Sequence, residues 1–421
     1  MPTYYITTLN IAIPFFISLI LIEIILSKVY RKDYVMRSMD TLSSLCSGLT
    51  NIIKDVLGLT FIIISYGYMV EHFALFKLEP SIMVYVIAFI GIDFAGYWVH
   101  RINHNINYFW NHHIIHHSSE EFNLACALRQ SISNFFSISF IFLIPTAIIG
   151  VPSEVIAVLA PLHLFAQYWY HTRLIGKLGL LEYIIVTPSH HRVHHAINNE
   201  YLDKNLSQVF IIWDKLFGTF QEELDGVPPV YGVKRPLRSW NPILINFSHL
   251  FQLIKDAWRT NNILDKFRIW FMPTGWRPQD VILKYPLSVI ESPYEYKKYY
   301  PNLSENLKLW SWVQFGIIFL FIMYYINHLH LLLFRDAILF AIFLFMCIYS
   351  LTSLMDKENN SWIFELIKAS FGISLITFSS NWSFMNNYIS YADYIIMTYF
   401  ILSLFVVLYF NRQEIRLKSN N

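Results

Sequence analysis

Histidine in this chain is concentrated where helical spacing would aim it at common points. Of sixteen histidines, twelve lie between His100 and His195. Most fall in three runs: His100-Arg-Ile-Asn-His104, His112-His113-Ile-Ile-His116-His117 and His190-His191-Arg-Val-His194-His195. Residues four apart share a helix face, so His100 and His104 project together. His113, His116 and His117 stand at i, i+3 and i+4, and His191, His194 and His195 repeat that pattern, each set aiming three imidazoles from a single turn. His171, which closes Gln167-Tyr-Trp-Tyr-His171, adds a ninth candidate. Neutral imidazole is the commonest protein ligand for iron, copper, nickel and zinc. Nine such ligands over two metals leave four or five per ion. Iron prefers about six, so positions remain open for dioxygen, whereas a closed structural zinc site leaves none.

Other groups stand close enough in sequence to support these ligands. Asp93 and Tyr97 precede His100 by seven and three residues on the same stripe. Asp93 could accept the free ring N–H of a ligand histidine or hydrogen-bond a neighbouring helix; both readings are open. Gln167 stands four residues before His171, where a weak or water-mediated ligand could sit. Arg101, Arg129 and Arg192 flank the runs and could pair with a polar headgroup or with acids behind the ligands. Glu120 and Asp214 are candidate carboxylates for that supporting role. His112 and His190 point off the ligand faces and are expected to support or pack, as is His163. His72, His249, His328 and His330 read as ordinary surface or interfacial residues.

The elements that must carry these residues are membrane helices. The chain has 421 residues, 55% hydrophobic and only 14% charged, a composition unlike that of soluble domains. Apolar runs recur at the length needed to cross a bilayer, about 20 residues. They predict nine spans, near 8–27, 45–69, 82–103, 132–150, 153–171, 309–327, 331–351, 361–379 and 391–411. Lys28, Arg31, Lys32 and Arg37 follow the first span, the next loop has only Lys77, and Arg412, Arg416 and Lys418 follow the last. Positive charge stays inside, which places the amino terminus outside and the carboxyl terminus in the cytosol. Counting spans then puts every histidine run on the cytosolic side, as one metal centre requires. The expected fold is all-α: a polytopic membrane bundle with a cytosolic helical cap holding a histidine-rich di-metal site. Three parts follow: an anchor hairpin over 1–80, a catalytic core with its cap over 81–300, and a four-span region over 301–421. The cap combines aromatic and basic residues (Trp258-Arg259, Trp276-Arg277-Pro278). That mixture suits a surface at headgroup level or an ordinary packed cap. Cys46, Cys126 and Cys347 have no metal-binding or disulfide spacing, and the net charge of +2 forms no stripe for nucleic acid.

The order of histidine runs resembles the fatty acid hydroxylase/sterol desaturase superfamily of membrane di-iron oxygenases. The phrases His116-His117-Ser-Ser-Glu120, Asn123-Leu-Ala-Cys-Ala-Leu-Arg129-Gln130-Ser131, Thr187-Pro-Ser-His-His-Arg-Val-His-His195, Asp203-Lys204-Asn205 and Ile211-Ile-Trp-Asp-Lys-Leu-Phe-Gly-Thr-Phe220 narrow the likeness to its ether-lipid branch. That resemblance covers about residues 85–260. It implies two iron ions, dioxygen and tetrahydrobiopterin as electron donor, with hydroxylation of the ether-linked carbon of an alkylglycerol. It departs at Asn105, where animal members of the branch carry glutamate after the first run, and this leaves the donor open.

A lipid substrate would arrive sideways from the bilayer, in the endoplasmic reticulum or a bacterial inner membrane. Two other readings stand beside this one. A related hydroxylase or desaturase could act on fatty acyl, sterol or carotenoid lipids. A metal-dependent hydrolase or metal transporter is more remote, since transporter histidines line spans at mid-membrane depth or fill loops, whereas these gather at helix ends.

Overall fold

The computed structural model describes residues 3–30, 36–58, 61–62, 65–378 and 389–416. Arg31, Lys32 and Lys418, which entered the orientation argument, lie outside them, as do parts of the expected spans at 45–69 and 361–379. Among the described residues the fold is helical, apart from a two-residue parallel pairing of β1 (Phe61–Ile62) with β2 (Phe136–Ser137).

The helices in chain order begin with α1 (Thr3–Tyr30), α2 (Ser38–Val56), α3 (Tyr66–Phe73) and α4 (Ile82–Asn105). Two single turns, α5 (Asn107–Trp110) and α6 (Ile114–His117), lead to α7 (Ser139–Ile149) and α8 (Ser153–Phe165). The cap holds α9 (Pro188–His194), α10 (Ile212–Phe217), α11 (Pro242–Arg259), α12 (Ile263–Arg268) and α13 (Gln279–Lys284). The last four are α14 (Glu305–His328), α15 (Phe334–Met355), α16 (Ser361–Phe378) and α17 (Ala392–Phe410).

Six of these helices are long and apolar enough to cross a membrane: α1, α4 and α14 to α17. The chain is a multi-pass membrane protein, and among the described residues six full-length spans stand where nine were expected. The run at 45–69 is not one helix. α2 ends at Val56, before Gly58 at φ +66°, and it carries Asp40, Ser43, Ser44, Ser47, Thr50 and Lys54, all buried. Such a polar face needs protein partners, and α2 packs on α11, α14 and α15. The runs at 132–150 and 153–171 form helices of only 11 and 13 residues. At 1.5 Å per residue these reach about 16 and 20 Å, short of a hydrocarbon core about 30 Å thick. Apolar content counted toward length here without helical continuity. Both short helices pack on α4 and are joined at Gly150, whose φ of +89° and contact with the Phe76 carbonyl leave no room for a Cβ. Such a hairpin returns the chain to the side it left, as two full crossings would, so the histidine runs before and after it share one face; losing the crossing at 45–69, however, reverses the parity on which their cytosolic placement rested.

Where α4 and α7 cross, a Cβ on Gly91 would fall 2.1 Å from a Thr146 methyl. The close approach holds α7 against the span whose far end carries His100 and His104. The largest apolar core joins α2 to the carboxyl-terminal helices. Asp356, just past α15, accepts from Ser239 Oγ (2.5 Å), Trp240 N (2.8 Å) and Tyr299 Oη (3.0 Å), tying that bundle to the cap.

Candidate metal centre

Four separate stretches bring the nine expected histidines together in two groups. His100, His104, His113, His117 and His194 form one, and His116, His171, His191 and His195 the other. Within each group the ring nitrogens lie within 4.8 Å of one another. α4 presents His100 and His104 one turn apart. His113 to His117 lie on the short turn at α6, and α9 delivers the last set. Pro188 opens α9 and Thr187 caps it with His190, whose Nδ1 accepts the Thr187 N–H at 3.4 Å. His190 therefore shapes the helix start, and its neighbours His191, His194 and His195 take the site.

The outer nitrogens of five rings fix their tautomers. An imidazole Nδ1 beside an oxygen acceptor must carry the proton, which leaves the Nε2 lone pair free. His100 donates to Leu206 O (2.7 Å), His104 to Asp203 Oδ1 (3.0 Å) and His116 to Arg129 O (3.3 Å). His171 donates to Gln167 O (3.0 Å) and His194 to Lys204 O (3.0 Å). The inward Nε2 atoms then face each other: His116 and His171 at 3.3 Å both present lone pairs. His100 and His113 meet at 2.8 Å, His171 and His191 at 2.8 Å, and His191 and His195 at 3.0 Å. Nε2 of His104, His117 and His194 is buried with no hydrogen-bond partner. Buried acceptors that point at one another or at nothing are costly unless a cation lies between them. The donor set fits two metal ions, one for each group.

Electrostatics point the same way. Burial first, and neighbouring imidazoles second, hold His113, His117, His191, His194 and His195 well below the usual histidine range. His116 is pushed down to about 3, again chiefly by burial. These rings are neutral at physiological pH, the form that binds metal. Aromatic faces wall the groups: Trp110 lies against His104 and His117, and Phe122 against His171, His191 and His195.

The supporting residues distribute differently from expectation. Asp93 does not reach any of the nine histidines. It accepts from His163 Nε2 (2.7 Å), Val209 N (2.9 Å), Phe210 N (3.0 Å) and Trp213 Nε1 (2.8 Å), the second of its two open readings. Gln167 holds His171 through its backbone carbonyl, while its side chain meets His163. Glu120 turns from the site to accept Tyr296 Oη and Tyr299 N. Arg129, fully buried, braces Asp40 Oδ1, Ser44 and Ser118 and offers its carbonyl to His116. Arg192 forms a fork on Glu223 (3.0 and 2.7 Å) rather than meeting a headgroup. Asp214 acts at one remove: it accepts Leu206 N (2.7 Å) and Ser207 N (2.8 Å), fixing the carbonyl that holds His100. It also accepts from Thr219, which meets the Tyr97 hydroxyl, itself bonded by Arg101. His112 is buried away from both groups, beside Tyr108 and Phe109.

Two acids escaped sequence reasoning. Asp203 holds His104 from a left-handed turn (φ +55°, with Asn205 at +54°). The clue was available: Asp and Asn two apart mark positions that tolerate positive φ. Glu23, buried in α1, accepts from Leu124 N (2.7 Å) and Thr172 Oγ1 (2.6 Å), next to His171. Its partners lie about a hundred residues or more away, so no spacing could have announced them.

Residues 85–219 match the fatty acid hydroxylase family. The alkylglycerol monooxygenase of Homo sapiens is 35% identical over 87% of this chain and 82% of its own length. That of Danio rerio is 33% identical over 85% and 80%. The ornithine lipid hydroxylase OlsE of Rhizobium tropici is 28% identical over 34% of this chain and 43% of its own. No solved structure is a significant match.

Proposed function

Because the chain belongs to the alkylglycerol monooxygenase family, we propose that it hydroxylates the ether-linked carbon of an alkylglycerol lipid at this histidine centre. The carrying observation is the inward Nε2 geometry, with tautomers set by outer Nδ1–H bonds. Five imidazoles would hold one iron and four the other: His100, His104, His113, His117 and His194, then His116, His171, His191 and His195. Bound iron would supply the dioxygen chemistry that takes hydrogen from an unactivated carbon. One oxygen atom enters the C–H bond beside the ether oxygen, and the other leaves as water with two electrons and two protons from the donor. The resulting hemiacetal breaks its C–O bond to give a fatty aldehyde and a free glycerol hydroxyl. A reduced pterin such as tetrahydrobiopterin is the donor that the likeness implies.

The protein's own contribution is positional. Leu206, Asp203, Arg129, Gln167 and Lys204 fix the ring planes through the Nδ1 bonds. Asp214 stiffens the first of these by holding the backbone at Leu206 and Ser207. Trp110 and Phe122 keep bulk water from the rings. All-imidazole sets are neutral, so the centre stays more positive than carboxylate-rich di-iron bundles, which favours an oxidising site.

Purified protein loaded with iron, given an alkylglycerol and tetrahydrobiopterin, is expected to release fatty aldehyde and to hold two irons per chain. His113→Ala and His194→Ala are each expected to lose iron and activity while the protein remains inserted; full activity in either refutes the ligand assignment. The ornithine lipid hydroxylase relative favours a second reading, hydroxylation of another lipid class. Lipid extracts from cells with and without the gene separate the two: glyceryl ethers accumulate without it in the first case only.

A further inference from the structure

α11 is amphipathic the wrong way round for a helix on a water-facing cap. Leu244, Phe247, Phe251, Ile254 and Trp258 follow each other at alternating steps of three and four, one stripe of the helix. Four of them are exposed, Trp258 at 86%, and Phe247 is half-buried. The opposite face, turned into the protein, carries the polar side chains. Asn246 accepts Ile132 N at 3.0 Å, Gln252 donates to Asp256 at 2.7 Å, and Asp256 pairs with Arg277 at 2.6 Å. α12 and the turn after it extend the bare apolar surface with Ile263, Leu264, Phe267 and Phe271, exposed by 62 to 73%. Scattered exposed residues would need no explanation, but a contiguous apolar face of this extent marks an interaction surface.

Charge and position name the occupant. Lys255, Arg259, Lys266, Arg268 and Lys284 lie in these two helices or in α13, exposed except for the half-buried Lys266. The acids of the same stretch are engaged: Asp256 with Arg277, Asp265 with Arg268, and Asp280 with Thr260 and Asn261. The stretch therefore presents net positive charge beside Trp and Phe, the pairing that suits a bilayer's headgroup layer. The surface also sits at the level where a span ends. α4 stops at Asn105, and the next residues are bonded directly to this region. Asn107 N donates to Met272 O (2.9 Å), Tyr108 N to Trp270 O (2.9 Å) and Thr274 N to Asn105 O (3.2 Å). His249 of α11 lies 3.1 Å from the Asn107 carbonyl.

We propose that α11 and α12 form an in-plane docking surface on the headgroup layer of the bilayer that the protein's own spans cross. It lies on the side carrying the histidine groups, its apolar stripe seated among acyl chains and its basic fringe on anionic headgroups. The cap would then hold the centre against the leaflet instead of standing off in water.

The test uses the full chain in nanodiscs of phosphatidylcholine with phosphatidylglycerol, bearing a nitroxide at Trp258→Cys, Phe267→Cys or Phe271→Cys. The native Cys46, Cys126 and Cys347 are buried, so they need not be removed. A label at Asp225→Cys, on a side chain 97% exposed, reports the aqueous face. In power-saturation measurements, lipid-soluble oxygen is expected to relax the three labels more than a water-soluble nickel chelate does, with the reverse order at Asp225→Cys. Greater accessibility to the chelate at the three positions overturns the proposal. Protection from both reagents overturns it too, since the surface would then be covered by a second copy or another protein.

Discussion

At the scale of single residues, the centre is a set of neutral rings, five of which are oriented by an outer Nδ1 bond to a different partner. Asp203 is the one carboxylate among those outer acceptors and is half exposed, at 55% of its side chain. Asp203→Ala is expected to lower metal affinity or activity by roughly 10- to 100-fold, the range for a group that orients a ligand histidine. Metal titration by calorimetry reads it, and wild-type affinity in that variant would show the bond to be idle. The depressed histidines also set a pH dependence. In the folded metal-free protein His116 protonates only near 3, against 6.5 for an ordinary histidine. On unfolding it takes up a proton at any pH between those values, so acid favours the unfolded chain. Metal-free protein is therefore expected to lose thermal stability steadily as pH falls below about 6.5. Bound metal should suppress the slope, because it too requires the neutral form. A flat Tm from pH 7 to 5 in stripped protein would contradict this. His113, His116 and His117 could be picked out because three and four are helical steps. The roles of Glu120 and Arg192 could not, since adjacency in sequence says nothing of which way a loop side chain turns.

At the scale of elements, the carboxyl-terminal helices carry an ion pair in their apolar interior. Glu365 and Lys368 of α16 are fully buried and paired, and Glu365 also accepts from Ser350 of α15 (2.6 Å) and Ser403 of α17. Removing one partner strands the other: Glu365→Leu alone is expected to destabilise by about 3–5 kcal/mol. The double change Glu365→Leu with Lys368→Met is expected to recover most of that loss, because an apolar pair has no charge to desolvate. Thermal unfolding of detergent-solubilised protein measures both, and equal losses would show that the pair is not coupled. Elements were also where sequence reading was least secure. Hydropathy counted α2 toward a span although its buried face is polar, and it credited α7 and α8 with about one and a half times the helix they form. A sliding average registers neither Gly58 nor the serines and asparagine between Ser131 and Ser137 as breaks.

At the scale of the whole molecule, Asp356 joins the carboxyl-terminal bundle to the cap through Ser239, Trp240 and Tyr299. Asp356→Ala leaves buried donors without an acceptor, each worth about 1–3 kcal/mol. The variant is expected to show faster proteolysis in the Pro301–Ser304 connection with iron content unchanged, read by limited digestion and metal analysis. Unaltered digestion would mean that the apolar core alone holds the two parts. Glu23 ties α1 to the loops beside His171 in the same manner. What the sequence determined unaided was the chemistry: nine imidazoles at helical steps on a chain rich in membrane helices specify neutral, convergent ligands. Ligand identity depends on side-chain type and on periodicity, and both are local. The tertiary structure alone decided the division into five and four, the acceptors that five of the Nδ1 atoms find, the number of full spans among the described residues and the inverted face of α11. Each of these depends on which distant segments come to lie against one another, and helical periodicity carries no record of that.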